Sequence, residues 1–203
     1  MESFEAFVAV ALETEGFVVS EAVKFPVTFR TAKAAYEEIQ THGFEVDLVA
    51  ARADRLVLAT VKSFFGSRGV VADQVTGEST AVGARKAYAL LNDLAVRKSV
   101  VEAAANRYGF ATEEVQLRLY VGRFAAPVRG THEERVRAWC ANQHAGVGPI
   151  EVFDVHAVVD EVRRAAAHKQ YRDNPVLVTM KVLEAAGLLK LKLPTDVGED
   201  DEQ

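Results

Sequence analysis

Two runs of branched apolar residues, separated by a short polar turn, most constrain what this chain can form. The first run covers residues 44–50 and the second covers residues 56–63. Each run has the length of a strand, and the segment between them is short and polar enough for a hairpin connection. The sequence therefore predicts two adjacent antiparallel strands.

The polar residues inside these two strands indicate a possible chemistry. Side chains on a strand alternate between its faces, so Glu45 and Asp47 share one face, and Thr60 and Lys62 share one face of the next strand. If the strands pair through the short turn, Asp47 and Lys62 approach the same end of the sheet. A carboxylate beside an ammonium suits a divalent metal site for phosphodiester hydrolysis. The alternative is a partly exposed cross-strand ion pair that contributes under about 1 kcal/mol.

Length, composition and net charge limit the organisation of the chain. With 203 residues and 49% apolar content, it is long enough for one substantial core. We expect a single domain over residues 1–193, with a core over 1–125, a C-terminal extension over 126–193 and a disordered acidic tail over 194–203. A net charge of -5 argues against a surface that binds nucleic acid everywhere, but it allows a local basic groove.

Several function classes have little support in the sequence. The single cysteine, Cys140, excludes an internal disulfide, and it is better explained as a packed core thiol than as a nucleophile. The histidines do not have zinc-ligand spacing, and no glycine-rich phosphate loop opens a helix after a strand. The sequence has no signal-peptide pattern and no apolar run of about 18 residues, so we expect a cytoplasmic protein without a membrane partner.

The remaining pattern alternates between helices and strands. Residues 3–15 have helical apolar spacing, residues 17–29 are extended, and residues 115–124 alternate as a half-buried strand does. Further helices are predicted over residues 31–41, 80–105 with a possible break at 92–93, 132–144, 157–168 and 175–186, and a further strand over 150–153. This order predicts an α/β domain with a mixed central sheet flanked by helices.

The first half of the chain resembles the PD-(D/E)XK nuclease superfamily, in particular its Holliday junction resolvase and Mrr-like branch. In that branch a first helix carries a Glu and a Leu and ends at Gly-aromatic. Next comes a strand, which is followed by the motif Glu-hydrophobic-Asp-Leu. The pattern closes with an apolar strand that ends in Glu-x-Lys. The matching positions are Glu5, Leu12, Gly16 and Phe17, then 45–49, then 56–63.

The resemblance implies a restriction-endonuclease-like core and a metal-dependent DNA endonuclease. Asp47 would bind Mg²⁺ or Mn²⁺, and Lys62 would orient the attacking water and stabilise the transition state. Glu5 would complete the metal site or hold its water, and Glu45 would be an accessory acid and metal ligand. Lys86 would face the DNA phosphate. A homodimer is plausible because nucleases of this kind often cut two strands with two subunits.

The loop after the second strand is a further candidate for DNA contact. It contains glycine and serine residues and begins at the predicted edge of the sheet. Its backbone amides, Ser63 and Arg68 could bind a phosphate. The alternative is a loop that only covers the sheet edge.

Thr60 departs from the superfamily pattern, because a second metal-binding carboxylate belongs at that position. A hydroxyl is a poor replacement, since Mg²⁺ prefers anionic oxygen ligands. Three explanations are open. Another carboxylate, from Glu5, Glu45 or Glu38, substitutes for the missing acid. Alternatively, fewer protein groups hold the metal, or catalysis has been lost. In the last case the chain would be a catalytically inactive DNA-binding or protein-interaction module.

Overall fold

The computed structural model describes residues 2–30, 39–126, 131–168 and 173–189. These residues form an α/β fold around a five-stranded sheet with the strand order β1-β2-β3-β4-β5. The strands are β1 (Val18–Arg30), β2 (Ile39–Arg52), β3 (Arg55–Lys62), β4 (Val115–Val121) and β5 (Glu151–Asp154). The helices are α1 (Ser3–Thr14), α2 (Ala72–Thr76), α3 (Val82–Lys86), α4 (Ala89–Asn92), α5 (Leu94–Tyr108), α6 (His132–Ala141), α7 (Val155–Ala167) and α8 (Pro175–Ala185).

The sheet is mixed, as predicted. Strand β2 is antiparallel to both β1 and β3, whereas β4 runs parallel to β3 and β5 runs parallel to β4. The predicted hairpin is confirmed: Arg52 pairs with Arg55 across a two-residue turn at Ala53 and Asp54. Strand β3 pairs only with the last part of β2, from Leu48 onward, so β1 and β2 continue past it as a two-stranded ribbon.

This ribbon changes its packing at Asp47. The pairing of β1 with β2 skips Ala22 and Asp47, and Ala22 has a left-handed backbone with φ +49°. On β2, Val46 belongs to the core between the sheet and α5, whereas Leu48 belongs to the core between the sheet and α1. The regular two-residue alternation is therefore interrupted where β3 ends beside β2.

Two apolar cores lie on the two faces of the sheet. The first contains residues of α4 and α5 together with Leu56, Leu58 and Leu117. The second contains residues of α1 and Val158 of α7 against Val57 and Ala59. A smaller cluster joins α1, α7 and α8. None of the described helices is both long enough and apolar enough to cross a bilayer.

The prediction of a half-buried strand over residues 115–124 is wrong. Strand β4 ends at Val121, and all seven of its residues are buried. The alternating polar residues do not face solvent because helices cover both faces of this inner strand. Their polar groups find protein partners instead: the Gln116 side chain accepts from Arg55, and Arg118 pairs with Glu15.

The predicted long helix over residues 80–105 is three helices. The break at Asp93 is confirmed, and the Asp93 carboxylate caps α5 by accepting from the backbone N–H groups of Ala95 and Val96. A second break, before Ala89, was not predicted. It turns Tyr88 into the core, where the side chain is 1% exposed.

Two other helix ends lie where the sequence predicts them. Helix α1 is followed by Gly16 with φ +87°, and the Asn174 side chain caps α8 by accepting from the Val176 N–H at 2.8 Å. The helix predicted over 31–41 is wrong at its end, because residues 39–41 belong to β2. Its remaining part, 31–38, lies outside the described residues, as does the predicted acidic tail.

Candidate active site

A pocket of about 840 Å³ opens where β3 ends. Its walls are the first turn of α1, the end of β3, the loop that follows β3 and Ala87. Its lining includes Glu2, Glu5, Asp47, Lys62, Ser63 and Phe65. The pocket thus brings together three of the four residues predicted to be catalytic.

The predicted convergence of Asp47 and Lys62 is confirmed. The Lys62 Nζ lies 3.5 Å from the Asp47 Oδ2, and the two side chains are 19% and 24% exposed. The same carboxylate oxygen accepts the backbone N–H of Val61 at 2.7 Å. Asp47 therefore closes the end of the β2–β3 ladder with its side chain, and this contact fixes the carboxylate beside the ammonium.

Tyr88 forms the other side of the lysine site. The Lys62 Nζ lies 5.9 Å from the centre of the Tyr88 ring, a cation–π distance. Burial raises the pKa of the Tyr88 phenol well above its ordinary value, so the ring is neutral. Within the described residues the buried Tyr88 hydroxyl has no hydrogen-bond partner. The lysine is held between a carboxylate and a neutral aromatic ring.

The first turn of α1 supplies two more carboxylates. The backbone N–H of Glu2 donates to Glu5 Oε2 at 2.9 Å, and the Ser63 hydroxyl donates to Glu2 Oε2 at 2.9 Å. Glu5 lies in the pocket, as predicted, and Glu2 was missed. The spacing Glu-x-x-Glu at the start of an amphipathic helix is a capping pattern that could have indicated both residues.

The loop after β3 is positioned by contacts on both sides. Phe65 packs edge-on against Phe4 of α1, with ring centroids 5.3 Å apart. The Gly122 N–H donates to the Lys62 carbonyl at 2.8 Å, and a Cβ at Gly122 would lie 2.3 Å from the Ser63 carbonyl oxygen. Only glycine allows the end of β4 to pass so close to this loop. The backbone of Phe64 has a left-handed conformation, with φ +46°.

Other predicted residues lie outside the pocket lining. Glu45 is exposed on the ribbon and pairs with Lys24 at 3.5 Å, its neighbour across the strands. Lys86 lies at the end of α3 and lines an adjacent pocket of about 410 Å³. Arg68 is exposed on the loop, one residue beyond the lining residue Ser67. Glu38 lies outside the described residues.

Thr60 is buried on β3, with 6% of its surface exposed, and it does not line the pocket. Glu45, one of the residues predicted to substitute for the missing acid, lies outside this lining and pairs with Lys24. Glu5 of α1 and Glu2, which directly precedes α1, line the pocket.

Carboxylates are the pocket groups that could hold a divalent ion. No group of three or more His, Cys, Asp or Glu side chains is arranged to hold a metal in the described part of the chain. Three carboxylates and one ammonium nevertheless line the pocket, so its charge is negative. Because Mg²⁺ keeps several waters and often uses only one or two protein carboxylates, Asp47 and Glu5 are suitable partners for it.

Cysteine and histidine chemistry is not part of this site. The thiol of Cys140 is buried, as predicted, and burial raises its pKa to about 12, so it is not a nucleophile at neutral pH. No histidine of the described residues lines the pocket. His132 contacts α2 instead, where its Nδ1 accepts the Ala72 N–H.

Comparisons with known proteins add a structural likeness. No protein-family model and no curated protein matches the chain. A crystal structure titled as a protein of unknown function, AF1548, is similar over 91% of this chain and 77% of that chain, with 15% sequence identity and a TM-score of 0.39. A likeness at this level carries no functional assignment.

Proposed function

We propose that this chain is a metal-dependent endonuclease with a restriction-endonuclease-like core, hydrolysing phosphodiester bonds of DNA. The observation that carries the proposal is the placement of Asp47, Lys62 and Glu5 in one pocket, with the Asp47 carboxylate 3.5 Å from the Lys62 ammonium. Three separate segments of sequence supply these groups. Their meeting supports the superfamily resemblance at the positions where its chemistry resides.

Each of these residues has a distinct role in the proposed reaction. When bound, Mg²⁺ or Mn²⁺ would lower the pKa of a water and neutralise phosphate charge. Asp47 would hold the ion, and Glu5 would hold it or one of its waters. Lys62 would place its ammonium beside the phosphoryl oxygens and stabilise the charge that develops there. The Tyr88 ring and Asp47 keep that ammonium in place.

The negative pocket supports a requirement for a cation. Glu2, Glu5 and Asp47 carry three negative charges against the single charge of Lys62, so without a bound cation these side chains repel a phosphate. A divalent ion removes this repulsion and provides a reason for gathering the carboxylates.

Basic side chains around the pocket support DNA as the substrate. Among the described residues, seven lysines and arginines have no carboxylate within 4.0 Å. Three of them, Arg55, Arg97 and Arg107, donate to neutral oxygens instead. The other four are Arg68, Arg85, Lys86 and Arg123. Arg68 and Arg123 lie on segments joined by the Val70 N–H, which donates to the Arg123 carbonyl at 2.9 Å. Arg85 and Lys86 precede Ala87 of the pocket wall. Such uncompensated cations are suited to DNA phosphates.

The test is cleavage of plasmid, branched and single-stranded DNA in Mg²⁺ or Mn²⁺. We expect cleavage by the wild type and a loss of about 100-fold or more in Asp47→Asn and in Lys62→Met. Lys24→Met is the matched control, because it removes an exposed lysine that is paired with Glu45 outside the pocket. Cleavage that is unchanged in both pocket variants would contradict the assignment.

Thr60 favours a second candidate, a catalytically inactive nuclease fold that binds DNA or a protein. The residue is neutral and 6% exposed where the superfamily has a metal-binding acid. This candidate predicts no cleavage with any divalent ion and no metal binding by calorimetry. DNA binding that is insensitive to Asp47→Asn would then identify a binding module.

A further inference from the structure

One aromatic ring at the pocket is not explained by the proposed hydrolysis. Phe65 is 53% exposed and lines the pocket. No other phenylalanine, tyrosine or tryptophan is exposed among the side chains of residues 2–28, 41–126, 131–168 and 173–189. A large apolar ring is therefore kept in water at the pocket that three carboxylates and a lysine line.

Phe65 is held in this position. Its ring packs at 85° to the ring of Phe4, which is itself 4% exposed, and a Cβ at Gly122 would lie 2.8 Å from Phe65 Cζ. The preceding residue, Phe64, has a left-handed backbone with φ +46°. Such a conformation costs of order 1 kcal/mol or more in a residue other than glycine, so surrounding contacts must maintain it. The exposure of the ring is a fixed feature of this loop.

A fixed and accessible aromatic ring beside a phosphate-binding group is suited to a nucleobase. Every base has a π-face, and stacking on an aromatic side chain contributes about 1–3 kcal/mol per base. A base inside a duplex cannot make this contact, because it is already stacked and paired. The ring can therefore engage only a base that is unpaired or displaced from the helix.

We propose that Phe65 stacks with an unpaired base next to the phosphate bound at Lys62, so that the substrate of this pocket is DNA with a single-stranded segment. The inference rests on the proposed function and specifies its substrate. The pocket volume of about 840 Å³ is within the range of about 300–1,000 Å³ that small-ligand sites have, and it can accommodate one nucleotide.

The first test measures binding by fluorescence anisotropy in Ca²⁺ for three labelled ligands. These are oligothymidylate, a strand of equal length with abasic sugars, and a blunt duplex of two annealed complementary strands. We expect Phe65→Ala to weaken oligothymidylate binding about 5- to 100-fold, as the loss of one stacked base implies, and to leave the other two ligands unchanged. Phe65→Trp should bind oligothymidylate at least as well as the wild type. Leu188→Ala, which removes a side chain that is 72% exposed elsewhere, is the control and should bind all three like the wild type.

The second test uses the tryptophan of Phe65→Trp as a probe. Its fluorescence should be quenched by saturating oligothymidylate and not by the abasic strand, with the wild type correcting for the partly buried Trp139. Equal oligothymidylate affinity of Phe65→Ala and wild type, or no quenching at saturation, would overturn the stacking role. Cleavage lost in Asp47→Asn but intact in Phe65→Ala would then still support the proposed function. A wild type that binds none of the three ligands would overturn both.

Discussion

The two ends of helix α1 each meet a cluster of charged groups, and the clusters differ in how completely the charges are paired. At the C-terminal end, Arg118 is 6% exposed and contacts Glu15 at 2.8 Å and Glu151 at 2.9 Å. The rings of Phe17 and Phe153 lie within 5.6 Å and 5.1 Å of its guanidinium carbon. At the N-terminal end, three carboxylates and one ammonium line an open pocket, and among the described residues only the Asp47 carboxylate lies within 4.0 Å of that ammonium.

The difference indicates what distinguishes a structural charge cluster from a candidate site. Around Arg118 one cation has two acidic partners and is enclosed by rings, so the cluster joins α1, β4 and β5. Burial also raises the pKa of the adjacent Tyr120 to about 12, which keeps its hydroxyl neutral as a partner of Arg118. In the pocket, which is open to solvent, only Asp47 of the three acids is paired with the cation. Access together with incomplete pairing supports a ligand there.

The largest expected effect is at the enclosed cluster. Arg118→Met should lower the free energy of unfolding by about 3 kcal/mol, the lower end of the range for breaking a buried ion pair, because Glu15 and Glu151 are 33% and 37% exposed. Urea unfolding followed by circular dichroism measures this. Lys98→Met, which removes the exposed pair with Glu102, is the control and should cost under about 1 kcal/mol. Equal effects of the two variants would remove the contrast between the ends.

A smaller effect on stability is expected when an acid replaces the buried Thr60 of β3. Thr60→Glu should destabilise the protein by about 1–3 kcal/mol in EDTA, because a polar group is buried without a partner. If the pocket residues are placed as in the superfamily, Mg²⁺ should restore part of this loss and should bind more tightly than to the wild type. Thermal melts and calorimetry with and without Mg²⁺ measure both quantities. Thr60→Gln is the control, and an identical response of the two variants to Mg²⁺ would argue against a metal at this end of β3.

Divalent ions should raise the free energy of unfolding of the wild type by a smaller amount than the changes expected for Arg118→Met and Thr60→Glu. A ligand at ten times its dissociation constant adds about 1.4 kcal/mol to the free energy of unfolding, since it binds only the folded state. Asp47→Asn should lose this gain while an amide oxygen can still accept the Val61 N–H, so its stability without metal should change little. Urea unfolding in Mg²⁺ and in EDTA provides the comparison. A gain of the same size in both proteins would place the ion elsewhere.

The smallest effect is expected on the ribbon. The Lys24 and Glu45 side chains are 68% and 51% exposed, so Glu45→Gln should change the free energy of unfolding by less than about 1 kcal/mol. Because Glu45 lies outside the pocket lining, cleavage should keep the wild-type rate. A large loss of cleavage in Glu45→Gln would show that Glu45 belongs to the site although it lies outside the pocket lining.

The part of the site that could be predicted from sequence depends on local geometry. A two-residue turn fixes the pairing of Arg52 with Arg55, and this register carries Asp47 and Lys62 to the same end of the sheet. Capping residues likewise fixed the starts of α5 and α8 at Asp93 and Asn174. Such features involve residues close in the chain, so sequence patterns describe them well.

Other features depend on which elements pack together. Alternation on β4 predicted a solvated face, but Arg118 is enclosed because α1 and α7 cover that face. Glu45 and Asp47 were expected to share a face, but the pairing is irregular at Asp47, and Glu45 pairs with Lys24. Neither outcome is encoded in the residues' own spacing.

The sequence by itself determined the α/β class, the central hairpin and the meeting of Asp47 with Lys62, because short-range register and periodicity specify these. Only the tertiary structure decided that Glu2 joins Glu5 at the pocket, that Phe65 stays exposed beside it and that Arg118 is buried between two acids. The physical reason is that these outcomes depend on contacts between segments as far apart as α1, the loop after β3 and the end of β4. Burial and partner choice arise only when such segments are packed together.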